Sequence, residues 1–345
     1  MSNNKKIKLL SMKSVQNKPL DWIWEGWLAA GKLTLIAGEG GIGKTTISIN
    51  LASIISNFGN FPDGSECLNG GSVIIFSTED DLETTLNPRL TAAKANHDNI
   101  YYISGISNSE GKEDYFNPVK DFSLIRENLK QIQNVRLIII DPIVCIVEGD
   151  MNKSNEVRKS LAVLVEIAEE YNCAILGITH LAKNVLGGNI TDKIIGSQAF
   201  TALARMVWIV SKNANTCYFA KCKSNISSLN GVFTYKIENI NLDGNIKSTF
   251  LNWLDYFDCT YDEILNRNSI DNSEEIENKV DKAETLILSQ LSEMKFIDSK
   301  QLKIYITETH LISDSTYRRA LKKLKEQQKI ECYKEKSWGW RLILN

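Results

Sequence analysis

The stretch GEGGIGKT, residues 38–45, decides the fold of this chain. It matches the pattern G-x-x-x-x-G-K-[ST] at every fixed position. The apolar run LTLIA (33–37) precedes it, and TTISINLASIISNFG (45–59) follows with apolar residues at helical spacing. In a strand–glycine turn–helix arrangement, backbone N–H groups and the helix N-terminus surround phosphate oxygens. The sequence therefore predicts a site for a nucleoside triphosphate.

Each residue of this loop has a predicted role. Lys44 is expected to reach the β- and γ-phosphates, and the Thr45 hydroxyl is expected to hold Mg²⁺. ATP and Mg²⁺ are thus the expected cofactors. The other loop residues expected to line the nucleotide site are Gly38, Glu39, Gly40, Gly41, Ile42, Gly43 and Thr46.

Composition and charge narrow the class of protein. The chain has 345 residues, enough for two domains, with 43% hydrophobic and 24% charged residues. A net charge of −2 means that any nucleic-acid site must be a local basic patch. The basic N-terminus lacks the apolar core of a signal peptide, and no apolar run reaches membrane-spanning length. The seven cysteines form no C-x-x-C pair, which suits a reducing compartment. We expect a cytoplasmic protein without membrane contact.

Residues 31–258 alternate apolar strand-like runs with helical patterns, after an N-terminal segment, residues 1–30. This alternation predicts an α/β fold in which helices flank a parallel sheet. Short antiparallel strands are expected at 231–240 and 244–251. The strand candidates are 33–37, 73–77, 137–140, 174–178, 206–210 and 216–220, and the predicted helices are 44–57, 84–95, 122–131 and 155–170.

A second, smaller α+β domain is predicted at residues 281–345, after a polar and acidic linker at 259–280. Three short helices and a terminal hairpin resemble a winged-helix domain, with Ser313 or Asp314 as the N-cap of the third helix. Duplex DNA is one expected partner; a replication protein or a purely structural role are the alternatives. The basic residues on the third helix and the hairpin are Arg318, Arg319, Lys322, Lys323, Lys325, Lys334, Lys336 and Arg341.

Three tryptophans, Trp22, Trp24 and Trp27, cluster just before the phosphate loop strand. One interpretation is a hydrophobic clamp over the edge of the sheet. The alternative is a contact with the nucleotide base or with a neighbouring subunit.

Carboxylates follow two of the predicted strands. Asp141 ends the buried run VRLIIID, where it can orient the water shell of the metal. Pro142 follows it, so the base that activates water must lie elsewhere. Glu79 ends the strand after the loop helix, and the carboxyl ends of parallel strands converge on one crevice. Glu79 is therefore the candidate base, with Asp80 as its competitor and helix capping as the alternative role of Asp80 and Asp81.

Two further residues follow apolar runs. His180 ends CAILGITH at the same predicted edge, where a γ-phosphate sensor is the functional alternative to a structural histidine. Arg205 enters an apolar strand, and a buried arginine needs a partner. Phosphate of a neighbouring subunit would satisfy it as an arginine finger, and a salt bridge at the sheet edge is the alternative. Lys221 and Lys223 are further candidates to reach an adjacent site.

With these residues in place, the chain resembles the RepA-type hexameric replicative helicases of plasmids and phages, within the RecA/DnaB-like group. The resemblance covers roughly residues 15–255. It implies a RecA-like core in which ATP lies between the subunits of a homo-oligomeric, hexameric ring. The motifs that carry it are GEGGIGKT (38–45), STEDD (77–81), LIIIDP (137–142), GITHLAK (177–183) and the segment from Gly196 to Arg205.

The resemblance also implies residue roles. Lys44 and Thr45 match the family's loop lysine and Mg²⁺ ligand, and Glu79 matches its catalytic glutamate. Asp141 matches the metal-site aspartate, and His180 matches the sensor histidine.

Two arginines and two loops complete the resemblance. Arg205 matches the family's arginine finger. Arg89 is similar to a family arginine that lies near the base of the nucleotide. The loops after Asp141 and His180 face the central channel in such proteins, where basic residues would contact single-stranded DNA. Flexible surface loops are the alternative. Those loops carry Lys153, Lys183, Gly187, Gly188 and Lys193.

Three functions fit these features to different degrees. The first is an ATP-driven motor on single-stranded DNA. The second is an ATP-switched DNA-binding module, such as a replication initiator, helicase loader or recombination mediator, which does not separate strands. The third is a small-molecule kinase. Such an enzyme would need a basic lid and a pocket for the phosphate acceptor, and the sequence shows a signal for neither.

Overall fold

The computed structural model describes residues 7, 9–107, 113–181, 194, 198–213, 216–334 and 338–343. The chain forms two compact units that divide between Tyr261 and Asp262. This division falls inside the stretch 259–280, where the sequence predicts a linker. None of the helices in the described part of the chain is sufficiently long and apolar to span a bilayer.

The N-terminal unit is built on one large sheet. The strands of this unit, in chain order, are β1 (Trp22–Trp24), β2 (Leu28–Ala29), β3 (Leu33–Gly38), β4 (Ser72–Ser77), β5 (Ile100–Tyr102), β6 (Ile106–Ser107), β7 (Glu113–Asp114), β8 (Val135–Asp141), β9 (Ala174–His180), β10 (Met206–Asn213), β11 (Thr216–Ser224), β12 (Val232–Leu242) and β13 (Ile246–Phe257).

Nine of these strands form the sheet, in the order β13-β12-β11-β10-β3-β9-β8-β4-β5. The strands from β10 to β5 in this order are parallel, and β11, β12 and β13 add an antiparallel edge. β1 pairs with β2, and β6 with β7, as separate two-stranded ribbons. With its flanking helices this is a RecA-like α/β fold, as the sequence predicts.

Helices flank the sheet, and the first begins at the end of the phosphate loop. They are α1 (Lys44–Asn57), α2 (Asn87–Ala92), α3 (Pro118–Asp121), α4 (Ile125–Gln131), α5 (Ser154–Tyr171) and α6 (Gln198–Leu203). A π-helical turn, Leu82–Leu86, precedes α2, so the single helix predicted at 84–95 is two elements. Short 3-10 turns lie at Met12–Ser14, His97–Asn99, Phe122–Leu124, Ile143–Ile146 and Asp243–Asn245.

The register of the parallel strands places the functional edge. Every residue of β3, β4 and β8 is buried, as expected for strands that are covered on both faces. Gly38 of β3 pairs with His180 of β9, and Ser77 of β4 pairs with Asp141 of β8. The carboxyl ends of these four strands therefore lie at one edge of the sheet.

The tryptophan cluster belongs to the core. Trp24 and Trp27 stack with ring centroids 4.8 Å apart, and Trp24 also stacks on Phe61 at 5.0 Å. Phe219 of β11 and Phe233 of β12 pack against both indoles. Because Trp24 and Trp27 are almost fully buried, their hydrophobic packing role is confirmed, and contact with a nucleotide base is not. Their rings pack on β10, β11 and β12, however, and not over an edge strand of the sheet.

The C-terminal unit has its own core. Its elements are α7 (Tyr261–Met294), β14 (Ile297–Asp298), α8 (Ser299–Ile304), a π-helical turn (Tyr305–Thr309), α9 (Asp314–Glu326), β15 (Ile330–Lys334) and β16 (Trp338–Leu342). β16 pairs antiparallel with both β14 and β15. Ser313 caps α9 through its side chain, as the sequence predicts. The core joins Ala283, Ile287 and Leu291 of α7 to residues of α8 and α9.

The stretch predicted as a linker differs in local structure from expectation. α7 begins at Tyr261 and runs through residue 280 without a break. The polar composition at 259–280 suggests a linker, but the stretch contains neither Gly nor Pro. Without these residues a helix can propagate, and Asp262 and Glu263 lie favourably in its first turn.

Candidate active site

The phosphate loop connects β3 to α1 at the functional edge. Gly43 precedes the first helical residue with φ of 100°, and Gly41 has φ of 76°. Residues that carry a side chain rarely adopt such backbone angles, so glycine is required at both positions. Gly38 allows close packing, since a Cβ there would lie 2.5 Å from the Val210 carbonyl oxygen. Glu39, Gly40 and Gly41 are exposed, so the loop is open to a ligand.

Lys44 folds back over this loop. Its ammonium donates to the carbonyl oxygens of Glu39 at 2.7 Å and Gly38 at 3.1 Å, and it lies 3.3 Å from His180 Nδ1. Burial lowers the pKa of Lys44, and the carboxylates of Asp141 and Glu79 oppose this change. An ammonium bound to neutral carbonyl oxygens is poised to exchange them for phosphate oxygens, which carry full negative charge.

Thr45 and Asp141 form the predicted metal site. The Thr45 hydroxyl donates to Asp141 Oδ2 at 2.7 Å, although the two residues lie on different elements. The other carboxylate oxygen, Oδ1, is buried and has no hydrogen-bond partner among the residues that the structure describes. A buried oxygen without a partner is costly, and a cation would satisfy it. Hydroxyl and carboxylate oxygens are ligands that Mg²⁺ prefers, so these residues fit the expected ion.

The electrostatics of Asp141 agree with this fit. Burial raises the pKa of Asp141 to about 6, and the charges of Glu79 and Asp80 add to the increase. The hydrogen bond from Thr45 and the charge of Lys44 lower this pKa. The Lys44 ammonium thus only partly offsets the effect of burial, and a divalent cation would add positive charge next to the carboxylate. Within the described ranges no cluster of three His, Cys, Asp or Glu side chains could hold a metal, so phosphate oxygens and water would complete the shell.

His180 joins the lysine to the candidate base. Its Nε2 lies 3.2 Å from Glu79 Oε1, while Nδ1 faces the Lys44 ammonium. Because an ammonium donates and a carboxylate accepts, the neutral ring has its proton on Nε2. Lys44, His180 and Glu79 thus form one chain of hydrogen bonds across three strand ends. A phosphate that draws Lys44 away would release one end of this chain.

The structure distinguishes the three acidic residues after β4. Asp80 Oδ2 forms a 2.6 Å ion pair with Arg89, and both side chains are largely buried. Burial raises the pKa of Asp80, whereas Arg89 opposes the increase. Asp81 caps the following turn by accepting from the Glu83 and Thr84 amides. Glu79 alone of the three faces His180, which favours it over Asp80 as the base.

The sequence matches the family described as AAA domain over residues 7–185, a little more than half of the chain. The chain belongs to the AAA domain family. No curated protein matches the chain significantly. The matched AAA domain includes the phosphate loop, Glu79, Asp141 and His180, so the site described above lies entirely within it. Membership of this family supports nucleotide binding and an ATPase activity. The matched range of residues ends before β10 begins.

Arg205 lies outside the matched AAA domain and away from the site. It precedes β10, and its amide donates to the Leu33 carbonyl at the opposite end of β3 from Gly38. Five residues of strand separate that end from the loop, about 16 Å. Its side chain is exposed rather than buried, so the cost of burial that motivated the finger prediction does not arise. The structure does not bring Arg205 to the site of its own chain.

Other predicted contact residues are engaged locally. Lys221 is buried, with its ammonium 4.5 Å from the centre of a Trp27 ring, so it cannot reach an adjacent site as predicted. Lys223 donates to the carbonyls of Thr201 and Ala204. Lys153 is exposed and pairs with Glu156 at 3.3 Å. The predicted loop residues Lys183, Gly187, Gly188 and Lys193, with Gly196 and Lys336, lie outside the described residues.

Two residues that support the site, Ser77 and Tyr235, are not among its predicted residues. The Ser77 hydroxyl accepts from the amides of Glu79 and Asp80, which fixes the turn that aims both carboxylates. Tyr235 of β12 donates to the Ile42 carbonyl oxygen of the phosphate loop. Ser77 is the first residue of STEDD, so its place could have been inferred, but nothing in the sequence connects Tyr235 to residue 42.

Proposed function

We propose that this chain is an ATP-hydrolysing DNA motor similar to the RepA-type ring helicases, acting on single-stranded DNA in the replication of a plasmid, phage or mobile element. The observation that carries the proposal is the meeting of Lys44, Thr45, Glu79, Asp141 and His180 at one sheet edge. The motifs that supply these residues are the ones on which the resemblance to that group rests.

In the proposed reaction, each residue has one task. Lys44 binds the phosphate oxygens that replace its present carbonyl partners. Thr45 and Asp141 would hold Mg²⁺, and the ion would supply positive charge beside the phosphates. Glu79 orients the attacking water, and His180 passes the change at Lys44 to Glu79 because it touches both.

The proposal includes a ring in which Arg205 acts on the site of the neighbouring subunit. Its exposure and its distance from its own phosphate loop are compatible with action in trans. R205A should bind nucleotide normally but turn over at least about 100-fold more slowly. Mixing R205A with E79Q subunits should restore part of the ATPase rate, since some interfaces then have both residues. If mixed rings form and no mixture recovers activity, the shared site is wrong.

A second candidate function, an ATP-switched DNA-binding module, is favoured by the C-terminal unit. Its order of helices and strands agrees with the winged-helix prediction, and Arg319 and Lys325 are exposed on α9. Part of the predicted basic surface is neutralised, however. Lys323 pairs with Asp281 at 2.7 Å and Glu284 at 3.0 Å, and Arg318 pairs with Asp314 at 2.9 Å.

A forked-duplex assay separates the two functions. The motor predicts ATP-dependent strand separation by the wild type and none by E79Q, which should bind ATP but not hydrolyse it. ATPase stimulation by single-stranded DNA without strand separation would support the switch. Hydrolysis that does not respond to DNA at all would contradict both.

A further inference from the structure

The hydroxyl of Tyr235 contacts the phosphate loop. Tyr235 lies within β12, and only 1% of the residue is exposed. Its hydroxyl donates to the carbonyl oxygen of Ile42, a residue distant in sequence. Burial, followed by the nearby Cys217, raises the pKa of Tyr235, so the hydroxyl stays protonated and remains a donor.

The tyrosine is held in place from several sides. β12 pairs with β11 and β13, which place Cys217 and Trp253 opposite Tyr235. The Trp253 ring packs edge-on at 5.9 Å, and its indole N–H donates to Asn50 of α1 at 2.9 Å. The Tyr235 hydroxyl therefore has a fixed position relative to α1, the helix that follows the phosphate loop.

The bond to Ile42 has a geometric consequence for the next residue. The carbonyl of Ile42 and the N–H of Gly43 belong to the same planar trans peptide unit, so they point in opposite directions. Holding the carbonyl toward β12 turns the Gly43 N–H toward the phosphate side of the loop. In loops of this pattern, backbone N–H groups are the donors to the bound phosphates.

A second residue on the same face of β12, Ile237, lies next to Gly43. A Cβ on Gly43 would lie 2.5 Å from Ile237 Cδ1, whereas Gly40 and Gly41 have open space around them. The Gly43 end of the loop is thus enclosed by β12, and the Gly40–Gly41 end is not. The Tyr235 hydroxyl can therefore hold the peptide unit between Ile42 and Gly43 while the rest of the loop adapts to its ligand.

We propose that Tyr235 is a positioning residue for nucleotide binding, which holds the Ile42–Gly43 peptide so that the Gly43 N–H meets a phosphate oxygen. The inference rests on the proposed ATP site. Without the hydroxyl, the peptide unit is free to rotate, and a donor is lost from the binding geometry in both ATP and ADP complexes.

The test uses the full chain with Tyr235→Phe, which keeps the ring and its packing. Tyr171→Phe is the matched control, because the Tyr171 hydroxyl also donates to a backbone carbonyl, that of Arg126, at 3.2 Å and away from the loop. Titration with fluorescent ADP and ATP analogues should show about tenfold weaker binding for Y235F. Y171F should bind like the wild type, and the turnover of nucleotide-saturated Y235F should change by less than about threefold.

A purely structural role for Tyr235 gives a different result. It would lower the midpoint of thermal unfolding of Y235F while leaving nucleotide affinity unchanged, and this outcome would overturn the proposal. Hydrogen–deuterium exchange of the nucleotide-free proteins gives a second readout. Loop amides should exchange faster in Y235F than in the wild type or Y171F, and equal exchange in all three would also count against it.

Two further outcomes separate this inference from the proposed function. Ile237→Ala, which opens space beside Gly43 but keeps the hydroxyl, should change affinity by less than about threefold. A loss as large as that of Y235F would assign the effect to packing and contradict the proposal. Wild-type protein that binds neither nucleotide would refute the ATP site itself, whereas normal wild-type binding with an unaffected Y235F would refute only the role of Tyr235.

Discussion

Two adjacent carboxylates after β4 have different partners, and these partners give them different tasks. Asp80 is neutralised by Arg89 at 2.6 Å, whereas Glu79 contacts the imidazole of His180. A base must present an unengaged oxygen to water, and the ion pair leaves Asp80 poorly suited to this role. The sequence identified both carboxylates as candidates, but only the positions of Arg89 and His180 distinguish between them.

The two carboxylates can be compared by amide substitution. E79Q should lower ATP turnover at least about 100-fold while nucleotide affinity stays within about threefold, because only the base is lost. D80N should lower turnover less than about tenfold. Steady-state ATPase rates and nucleotide titrations measure both effects. A D80N variant that is inactive beside an active E79Q variant would reverse the assignment.

The carboxyl of Asp141 is costly to keep ionised because it is buried. Its pKa is raised to about 6, so at neutral pH the fold holds an unfavourable charge that the unfolded chain hydrates. The fold binds more protons than the unfolded chain between the ordinary value and about 6. Through this group, stability is therefore greatest at low pH and falls as pH increases through this window.

Substitution of Asp141 should reveal this cost. Without nucleotide at pH 7.5, D141N should be more stable than the wild type by about 1–3 kcal/mol, because the amide carries no charge. At pH 5 the carboxyl is largely protonated, so the difference in unfolding free energy should shrink. Urea denaturation at both pH values measures it. A wild type that is the more stable of the two at pH 7.5 would contradict the account.

At the level of strands and helices, register assembles the site. Gly38 beside His180 and Ser77 beside Asp141 bring four strand ends together. Apolar runs in the sequence predict each of these strands, and the polar residues after them predict the common edge. Strand order is set by long-range pairing, so the place of β9 between β3 and β8 was not available from local patterns.

The antiparallel end of the sheet shows where local patterns are insufficient. The strand predicted at 231–240 is close to β12, Val232–Leu242, but the strand predicted at 244–251 continues in β13 to Phe257. Their polar, exposed ends look like loop sequence because only one part of each strand is buried. The buried part contains Tyr235 and Phe233, which contact the phosphate loop and the tryptophan cluster.

The N-terminal ribbon β1–β2 should contribute strongly to stability through Trp24. Its ring stacks on Trp27 and Phe61, and its indole N–H donates to Asp63 at 2.8 Å. W24A should destabilise the chain by about 3–5 kcal/mol, as for other large buried aromatic residues. W22A, which removes a partly exposed ring, is the control and should cost less. Urea denaturation measures the unfolding free energy of both variants. A loss for W24A no larger than that for W22A would contradict a special role of Trp24 in the clamp.

At the scale of the whole molecule, the site and the remaining predicted residues lie in different parts of the chain. The AAA domain match ends at residue 185 and includes every residue that meets at the functional edge. Arg205 lies at the opposite end of the strands, and the basic helix α9 belongs to the second unit. The sequence predicts each of these groups separately, but it carries no local signal for the ring or the bound DNA through which the proposal joins them.

The central claim is that a nucleoside triphosphate binds where Lys44, Thr45, Glu79, Asp141 and His180 meet. The most direct test is the ATP hydrolysis rate of the wild type and of K44A, with Mg²⁺ present. Removing the ammonium that would hold the phosphates should abolish turnover by K44A, while the wild type hydrolyses ATP. Hydrolysis by K44A at the wild-type rate would contradict the claim.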